Sequence, residues 1–146
     1  MTVHRDHAYE GSYFLVDLGG GDGSTAFRSV ELPVASTDVV TSRSGTDRTV
    51  EAQKRPGLVS YSNLVLVRGL TGRTDLFEWW EQMRAGAADV RRDVTVSLTD
   101  ERHDAVWTWR FTDAFPAVYR FSALDADGSD LVDEVLELAF SRMSIA

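Results

Sequence analysis

Short segments in which apolar and polar residues alternate recur along the chain, and this pattern predicts a protein built mainly of β-strands. Residues 13–18 form an apolar and aromatic run, and residues 26–32 resume the alternation after a glycine-rich stretch at 19–23. Two such runs around an Asp-Gly turn predict a β-hairpin near the beginning of the chain.

A long polar segment follows at residues 36–57, rich in Thr, Ser and Arg and poor in apolar side chains. A structureless loop of this length is uncommon in a compact domain. The segment therefore predicts a protruding hairpin that turns near residues 44–47. Because such a limb has no core of its own, we expect it to lie on another surface.

One helix is predicted from a single apolar stripe. Leu76, Trp80, Met83 and Ala87 recur at helical spacing, so the helix should begin at Asp75, end near Ala85 and bury this stripe. Thr74 or Asp75 can cap its start, and the spacing of Asp75 and Glu78 is that of a capping box. Trp79 lies about 100° from the stripe, so we expect it to contact a neighbouring element or subunit.

Most of the remaining segments are typical of strands. Residues 64–67 are apolar on both faces, which predicts a strand covered on each side. Residues 94–98 alternate, and the aromatic side chains at 107, 109 and 111 share one face of a returning strand. Pro116 favours a strand boundary or bulge. Residues 131–140 fit either element, and their periodicity alone favours a helix.

Composition and charge exclude several classes of function. The 146 residues predict one domain, residues 1–146, with a core of its own. The net charge of −8 argues against nucleic-acid recognition, which needs a basic face. Because there is no cysteine, disulfides and thiolate chemistry are excluded. The polar N-terminus and the lack of a long apolar run predict cytoplasmic synthesis without membrane insertion.

Candidate catalytic and binding residues are each better explained as structure. His4 and His7 lack a third metal ligand, and His103 lies in a charged turn without a nucleophile. The glycines at 19–23 are not followed by a helix, whose N-terminus a bound phosphate needs. Residues 125–130 match a calcium loop only in part. We therefore expect no catalytic residues, no cofactor and no metal.

One region has a specific family pattern. Residues 54–71, KRPGLVSYSNLVLVRGLT, are followed by LFEWW at 76–80. Together they resemble the phage tail-tube family, which forms the inner tubes of contractile phage tails and of bacterial contractile injection systems. Residues 13–18, 114–119 and 134–139 resemble the family's first strand and its closing region.

The resemblance implies two packed antiparallel sheets in a β-sandwich or barrel, with one flanking helix on its outside and a strand near residues 132–140. It also implies that copies form six-fold rings, which stack into a hollow tube inside a contractile sheath. The expected partners are further copies, sheath and baseplate proteins, and protein cargo in the lumen. After cytoplasmic synthesis the chain would be incorporated into a phage-tail-like particle, released or retained in the cell.

A ring that pairs sheet edges between neighbours would also cover edges that are open in a monomer. The polar limb would then pack on adjacent subunits. The candidate contact residues are Arg43, Arg48, Glu51, Arg55 and Trp79. The alternative is a monomeric β-domain that binds a small ligand in its core.

Overall fold

The computed structural model describes residues 8–11, 13–21, 24–43, 45 and 51–146, with only the backbone of Ser24. The mainly β prediction is confirmed, because these residues form ten strands and one helix. The strands are β1 (Phe14–Asp17), β2 (Ser24–Thr25), β3 (Ser29–Glu31), β4 (Ala35–Ser42), β5 (Gln53–Tyr61), β6 (Leu64–Gly69), β7 (Arg92–Thr99), β8 (Ala105–Phe121), β9 (Asp133–Ala139) and β10 (Arg142–Ile145). The helix is α1 (Asp75–Arg84).

The two predicted antiparallel sheets are present and share one long strand. The strands follow the order β2-β1-β7-β8-β9-β6-β3, and β10 also pairs with β8. The first half of the 17-residue β8 pairs with β7 and β10, and its second half pairs with β9. The strand passes from one half of the sheet to the other near Asp113, which has a φ of 56°. The Asp113 N–H donates a hydrogen bond to Asp93 Oδ1 at 3.2 Å. Such a bend lets one strand belong to two sheets.

The predicted first hairpin is only partly formed. Val16 and Asp17 pair with Thr25 and Ser24, after which the chain leaves this sheet and β3 pairs with β6 in the other half. The segment from β2 to β3 therefore bridges the two ends of the strand order. Phe27, between these two strands, is buried, so the crossing segment contributes a side chain to the core.

The protruding hairpin predicted at residues 36–57 is confirmed, and it extends further, to Tyr61. β4 and β5 pair only with each other among the described residues and form a separate two-stranded sheet. A bulge lies between Thr37 and Val39. Of the predicted turn, residues 44, 46 and 47 lie outside the described part of the chain.

The helix is confirmed, and its predicted buried stripe is correct for Leu76 but wrong for Trp80 and Ala87. Leu76 and Trp79 are buried, whereas Trp80 is only half-buried. The Trp79 indole N–H donates to the Val90 carbonyl at 2.7 Å, and the Arg92 guanidinium lies 4.4 Å from the centre of its ring. These partners lie in and just before β7, beyond the helix, so the spacing of apolar residues within the helix could not reveal them.

The ends of α1 differ in how they are capped. Thr74 occupies the N-cap position, but its side chain makes no capping hydrogen bond. The predicted capping box is absent, since Asp75 is the first helical residue and binds the Arg68 guanidinium. At the other end Gly86, with a φ of 76°, adopts the left-handed conformation typical of a Schellman motif. The Ala87 N–H donates to the Gln82 carbonyl at 3.0 Å and completes this motif.

The closing segment is a strand, as the resemblance implies, and the helical periodicity of residues 131–140 was misleading. β9 lies between β6 and β8, so both of its edges are hydrogen-bonded. Leu136 and Leu138 are buried, as one face of a strand requires. Pro116 lies at a bulge in the pairing of β8 with β9, as predicted.

Side chains from both halves of the sheet and from the helix form one core. Thirteen buried side chains make up this cluster. They are Val16, Leu18, Phe27, Leu64, Leu66, Leu76, Trp79, Val94, Val96, Phe111, Ala114, Leu136 and Leu138. The strand at residues 64–67 was predicted to be covered on both sides, but only Leu64 and Leu66 are fully buried, while Val65 and Val67 remain half-buried.

Candidate assembly surfaces

The β4–β5 hairpin carries the first large unpartnered surface. Leu58 is 79% exposed, and Val39 and Val59 are also well exposed, although all three are apolar and lie in β4 or β5. The Val34 N–H donates to the Ser62 hydroxyl at 2.7 Å and closes the base of the hairpin, and the Tyr61 ring lies 5.2 Å from that of Phe140, which attaches this base to the core. Exposed apolar side chains on an anchored hairpin are typical of a contact surface.

The predicted contact residues of this limb lie at different places along the hairpin. Arg43 directly follows β4, Glu51 precedes β5 and Arg55 lies within β5 opposite Val40, and all three are exposed. Arg48 lies outside the described residues. Trp79, which is 1% exposed, contacts neighbouring elements of its own chain, so its assignment as a subunit contact is corrected to a core residue.

A buried ion cluster joins α1 to the sheet. Nη2 of Arg68 lies 2.8 Å from both Glu134 Oε1 and Asp75 Oδ1. Glu134 is 2% exposed, and its second oxygen accepts a hydrogen bond from the Tyr119 hydroxyl. The exposed Arg73 also forms an ion pair with Asp75, with 3.3 Å between Nη2 and Oδ2. Because Arg68 and Glu134 face each other across β6 and β9, the cluster ties both strands to the start of the helix.

The cluster changes the titration of its members. Hydrogen bonding from Arg68 holds the pKa of Asp75 below its ordinary value, against an opposing effect of burial. Burial lowers the pKa of Arg68, but hydrogen bonds and charges of Asp75 and Glu134 outweigh it and raise the pKa overall. Burial and the bond to Glu134 raise the pKa of Tyr119. Asp75 is thus held ionised and Tyr119 protonated, the forms that this cluster needs.

An aromatic surface lies above this cluster. The Tyr119 ring is 6.0 Å from that of Phe77 on the helix and 5.1 Å from that of Phe121, and it stacks on Trp80 at 6.5 Å. Phe77 and Phe121 are exposed. The Tyr119 hydroxyl donates a hydrogen bond to Glu134, so the ion cluster orients the ring at the centre of this surface.

The loop after β8 continues this surface and is acidic. Leu124 and Leu131 are 83% and 84% exposed. Residues 122–133 contain four aspartates and no basic residue. The loop is closed at its base, where the Ser122 N–H donates to the Asp133 carbonyl at 3.0 Å. At its tip Asp125 Oδ1 accepts the Asp127 N–H, as a tight turn requires.

A separate cleft opens between the two halves of the sheet. It has a volume of about 550 Å³ and is lined mainly by apolar side chains from β1, β3, β7 and β8. Phe14, Val30, Leu98 and Trp109 contribute, and Arg28 supplies a charged group. This size and lining are in the range of small-ligand sites.

The other candidate groups of the sequence have structural positions. His103 is exposed in the turn after β7, with a φ of 66°, and its N–H donates to the Asp100 carbonyl. Gly19 has a φ of 73°, and a Cβ there would lie 2.5 Å from the Asp93 carbonyl oxygen, so a close backbone approach accounts for this glycine. His4 and His7 lie outside the described residues.

Among the described residues, no group of three or more His, Asp or Glu side chains is arranged to hold a metal ion. Among the same residues, no helix has the length and apolar character needed to span a membrane.

Exposed apolar side chains on hydrogen-bonded strands and on the adjoining loop are typical of a β-protein that contacts other proteins. The chain belongs to the family of the T4-like virus tail tube protein gp19, whose model matches residues 10–144. The resemblance given by residues 54–80 is thereby confirmed. A comparison with curated proteins finds no match.

Solved structures share the fold over almost the whole chain. A chain of the anti-feeding prophage baseplate is 21% identical, with a TM-score of 0.85 and coverage of 97% of each chain. A chain of the sheath–tube complex of the extracellular contractile injection system PVC is 26% identical, with a TM-score of 0.84, covering 97% of this chain and 93% of the other. Hcp1 from Flavobacterium johnsoniae is more distant, at 18% identity and a TM-score of 0.57, covering 91% and 94%.

Proposed function

We propose that this chain is a structural subunit of the inner tube of a phage-tail-like contractile injection system. Copies assemble into six-fold rings, and the rings stack into a hollow conduit that moves forward when the surrounding sheath contracts. The whole chain acts as one tail-tube domain without a catalytic role. The family match over residues 10–144 carries this proposal.

The surfaces of the subunit support assembly. An isolated two-stranded hairpin is at best marginally stable in water, and β4–β5 pairs with no third strand among the described residues. Its exposed Leu58, Val59 and Val39 gain stability when a partner covers them. A neighbouring subunit in a ring supplies such cover, with Arg43, Glu51 and Arg55 at its margin.

The proposed partners follow from the structures in which similar chains occur. Those chains belong to a sheath–tube complex, a baseplate and a tube-terminating cap. We extend the same partners to this chain: further copies of itself, a sheath protein and baseplate proteins. It is thus located in a tail-like particle after synthesis, and protein cargo can occupy the lumen.

Electron microscopy of the purified chain tests this proposal. We expect rings, or tubes of stacked rings, at protein concentrations at which size-exclusion chromatography shows a species well above the 16.2 kDa monomer. A variant that lacks residues 42–49 shortens the hairpin and should assemble poorly. A wild-type chain that stays monomeric at every concentration, with or without sheath protein, contradicts the proposal.

The cleft of about 550 Å³ favours one second candidate, a β-domain that binds a small apolar ligand. Trp109 lines this cleft, so its fluorescence would report a bound ligand. A saturable change in fluorescence that disappears in Val30→Trp, which fills the cleft, would support this candidate. The absence of any such change across a set of apolar ligands would contradict it.

A further inference from the structure

We propose that Gly57 is a positioning residue of the β4–β5 hairpin, because it makes room for a β-bulge that bends the hairpin partway along its length. The bend gives the outer half of the hairpin, residues 39–42 and 53–56, a direction of its own. The inference rests on the proposed self-assembly and adds the residue that orients the hairpin for it.

The pairing of the two strands shows that β5 has one extra residue. Thr37 pairs with Val59 on one side of the irregularity, and Val39 pairs with Pro56 on the other. The single residue between Thr37 and Val39 therefore lies opposite residues 57–58 of β5. A bulge of this kind increases the local twist and bends the strand that carries the extra residue.

Gly57 is needed at the bulge for space. A Cβ on Gly57 would lie 3.0 Å from the Asp38 carbonyl oxygen and 3.2 Å from both Asp38 Cβ and Val40 Cγ2. These separations are shorter than favourable contacts between carbon atoms. The φ of Gly57 is not in the left-handed region, so the backbone conformation alone would accept another residue. The close approach of β4 to β5 therefore accounts for this glycine.

Pro56 favours an irregularity at the same place. Proline has no N–H to donate to a strand ladder, so within sheets it occurs at edges, at strand starts or at bulges. Pro56 lies in the interior of β5, directly before Gly57. The Pro-Gly pair therefore encodes the position of the bulge in the sequence of the strand.

The bulge divides one face of the hairpin into an attached part and an exposed part. At the base, the Tyr61 ring lies 5.2 Å from that of Phe140 next to the core. Paired residues and alternate residues of a strand share a face, so Val59, Val39 and Pro56 continue the face of Tyr61 outwards. Val39 and Val59 are exposed. The bend at the bulge therefore sets the angle between the attached base and this exposed apolar part.

The direction of the outer half is fixed within the subunit itself. β4 and β5 pair only with each other among the residues that the structure describes, so no third strand there holds the hairpin at an angle. The bulge supplies this angle through backbone pairing before any copy binds. An element that already has its bound orientation costs less to order on association.

Deletion of Gly57 tests the role of the bulge. It leaves Leu58 alone opposite Asp38, and the pairs on either side keep their partners. The hairpin should then form a regular ladder and lose its bend. Because the hairpin is a separate two-stranded sheet, the unfolding free energy of the core should stay at its wild-type value.

Spin labels can measure the bend in the dilute monomer, because the chain contains no cysteine. Thr41→Cys with Asp104→Cys reports the distance from the outer half to an exposed turn of the main sheet. Ala35→Cys with Asp104→Cys reports the distance from the base to the same turn. Deletion of Gly57 should shift the first distance and leave the second unchanged, which a general loss of folding would not do.

Assembly is the second measurement. Both the deletion and Gly57→Ala, which crowds the bulge, should impair the formation of rings or tubes by the unlabelled chain. Gly45→Ala is the matched control: it makes the same chemical change beyond β4, where a Cβ would meet nothing within 4 Å, and should leave assembly intact. If the deletion variant does not fold, the same two distances measured in Gly57→Ala decide the question.

The outcomes separate this inference from the proposed function. An unchanged outer distance, or normal assembly of a variant whose outer distance has shifted, overturns the role of Gly57 and leaves the tube function standing. A wild-type chain that never assembles overturns both. A shifted outer distance with an unchanged base distance, impaired assembly and a normal Gly45→Ala control support the role of Gly57.

Discussion

Arg68 and Glu134 form a buried ion pair, with 2.8 Å between Nη2 and Oε1, across the adjacent strands β6 and β9. The pair stands at the junction of three elements, because the same guanidinium also binds Asp75 at the start of α1. Tyr119 donates a hydrogen bond to Glu134, and its ring contacts the exposed rings of Phe77 and Phe121. The pair therefore links the stability of the subunit to the shape of one of its surfaces.

Replacing Arg68 with Met should lower the free energy of unfolding by about 3–5 kcal/mol, because it leaves Glu134 buried without a cation. Urea denaturation of the dilute chain measures this change. Arg84→Met is the matched control: its ion pair with Glu81 is exposed, so its loss should cost at most about 1 kcal/mol. Equal losses in the two variants would contradict the role assigned to the cluster.

Acid should weaken the attachment of α1. The pKa of Asp75 is held below its ordinary value of 3.8 by the hydrogen bond from Arg68, so the folded state favours the ionised form. Its contribution to stability is therefore present above about pH 4 and is lost as the pH falls through the lowered pKa. Comparing unfolding free energies of wild type and Asp75→Asn between pH 7 and pH 2 should show a difference that shrinks with acid. A constant difference would contradict this assignment.

Alkali should act through Tyr119. Burial and the bond to Glu134 raise its pKa above the ordinary value of 10.0, so the folded state favours the protonated phenol. Its contribution to stability is present below pH 10 and is lost as the pH rises towards the raised pKa. Tyr119→Phe removes this dependence, and Tyr13→Phe serves as an exposed control. Absorbance titration of wild type and both variants should assign a delayed ionisation to Tyr119.

The two adjacent tryptophans should differ in their contribution to stability. Trp79→Phe leaves the Val90 carbonyl without its donor and weakens the stacking of Arg92, so we expect a loss of about 1–3 kcal/mol. Trp80→Phe keeps an aromatic ring on the half-buried face and should cost less. Thermal or urea unfolding of both variants measures the difference. A larger loss for Trp80→Phe would restore the burial predicted from the sequence.

Polar substitutions on the hairpin should separate folding from assembly. Leu58→Ser with Val59→Ser changes two exposed side chains, so the unfolding free energy of the monomer should change by at most about 0.5 kcal/mol each. Assembly should nevertheless be lost, because the apolar area buried between copies is removed. Sedimentation velocity and denaturation on the same sample test both halves. Intact assembly would show that this apolar surface is dispensable.

Several elements were predictable because their signal is local. The alternation at 94–98 marks β7 since a strand places successive side chains on opposite faces. The helix from Asp75 was predictable for a similar reason, and residues 36–57 indicated a hairpin by being too long and polar for a loop. The candidate contacts Arg43, Glu51 and Arg55 lie on or beside that hairpin, and their role as contacts stays a prediction.

Other features depend on partners distant in sequence. Whether Trp79 or Trp80 is buried depends on Val90 and Arg92, and residues 131–140 become a strand because β6 and β8 pair with both edges. Arg68 gives no local signal of burial, since its partner Glu134 is 66 residues away. The crossing of residues 24–31 between sheets likewise depends on where β6 lies.

The sequence by itself determined the mainly β class, the helix, the polar limb and the family. Periodicity and the family pattern are local, because each is recognised from residues that are close together in the chain. Only the tertiary structure decided which side of α1 is buried, that Arg68 and Glu134 meet, and that the hairpin and the acidic loop lie at opposite ends of one pair of strands. The physical reason is that burial and ion pairing depend on the elements that pack together. The side chains of an isolated segment could pack against several different partners, and in the folded protein the neighbouring strands and helix determine which partner they contact.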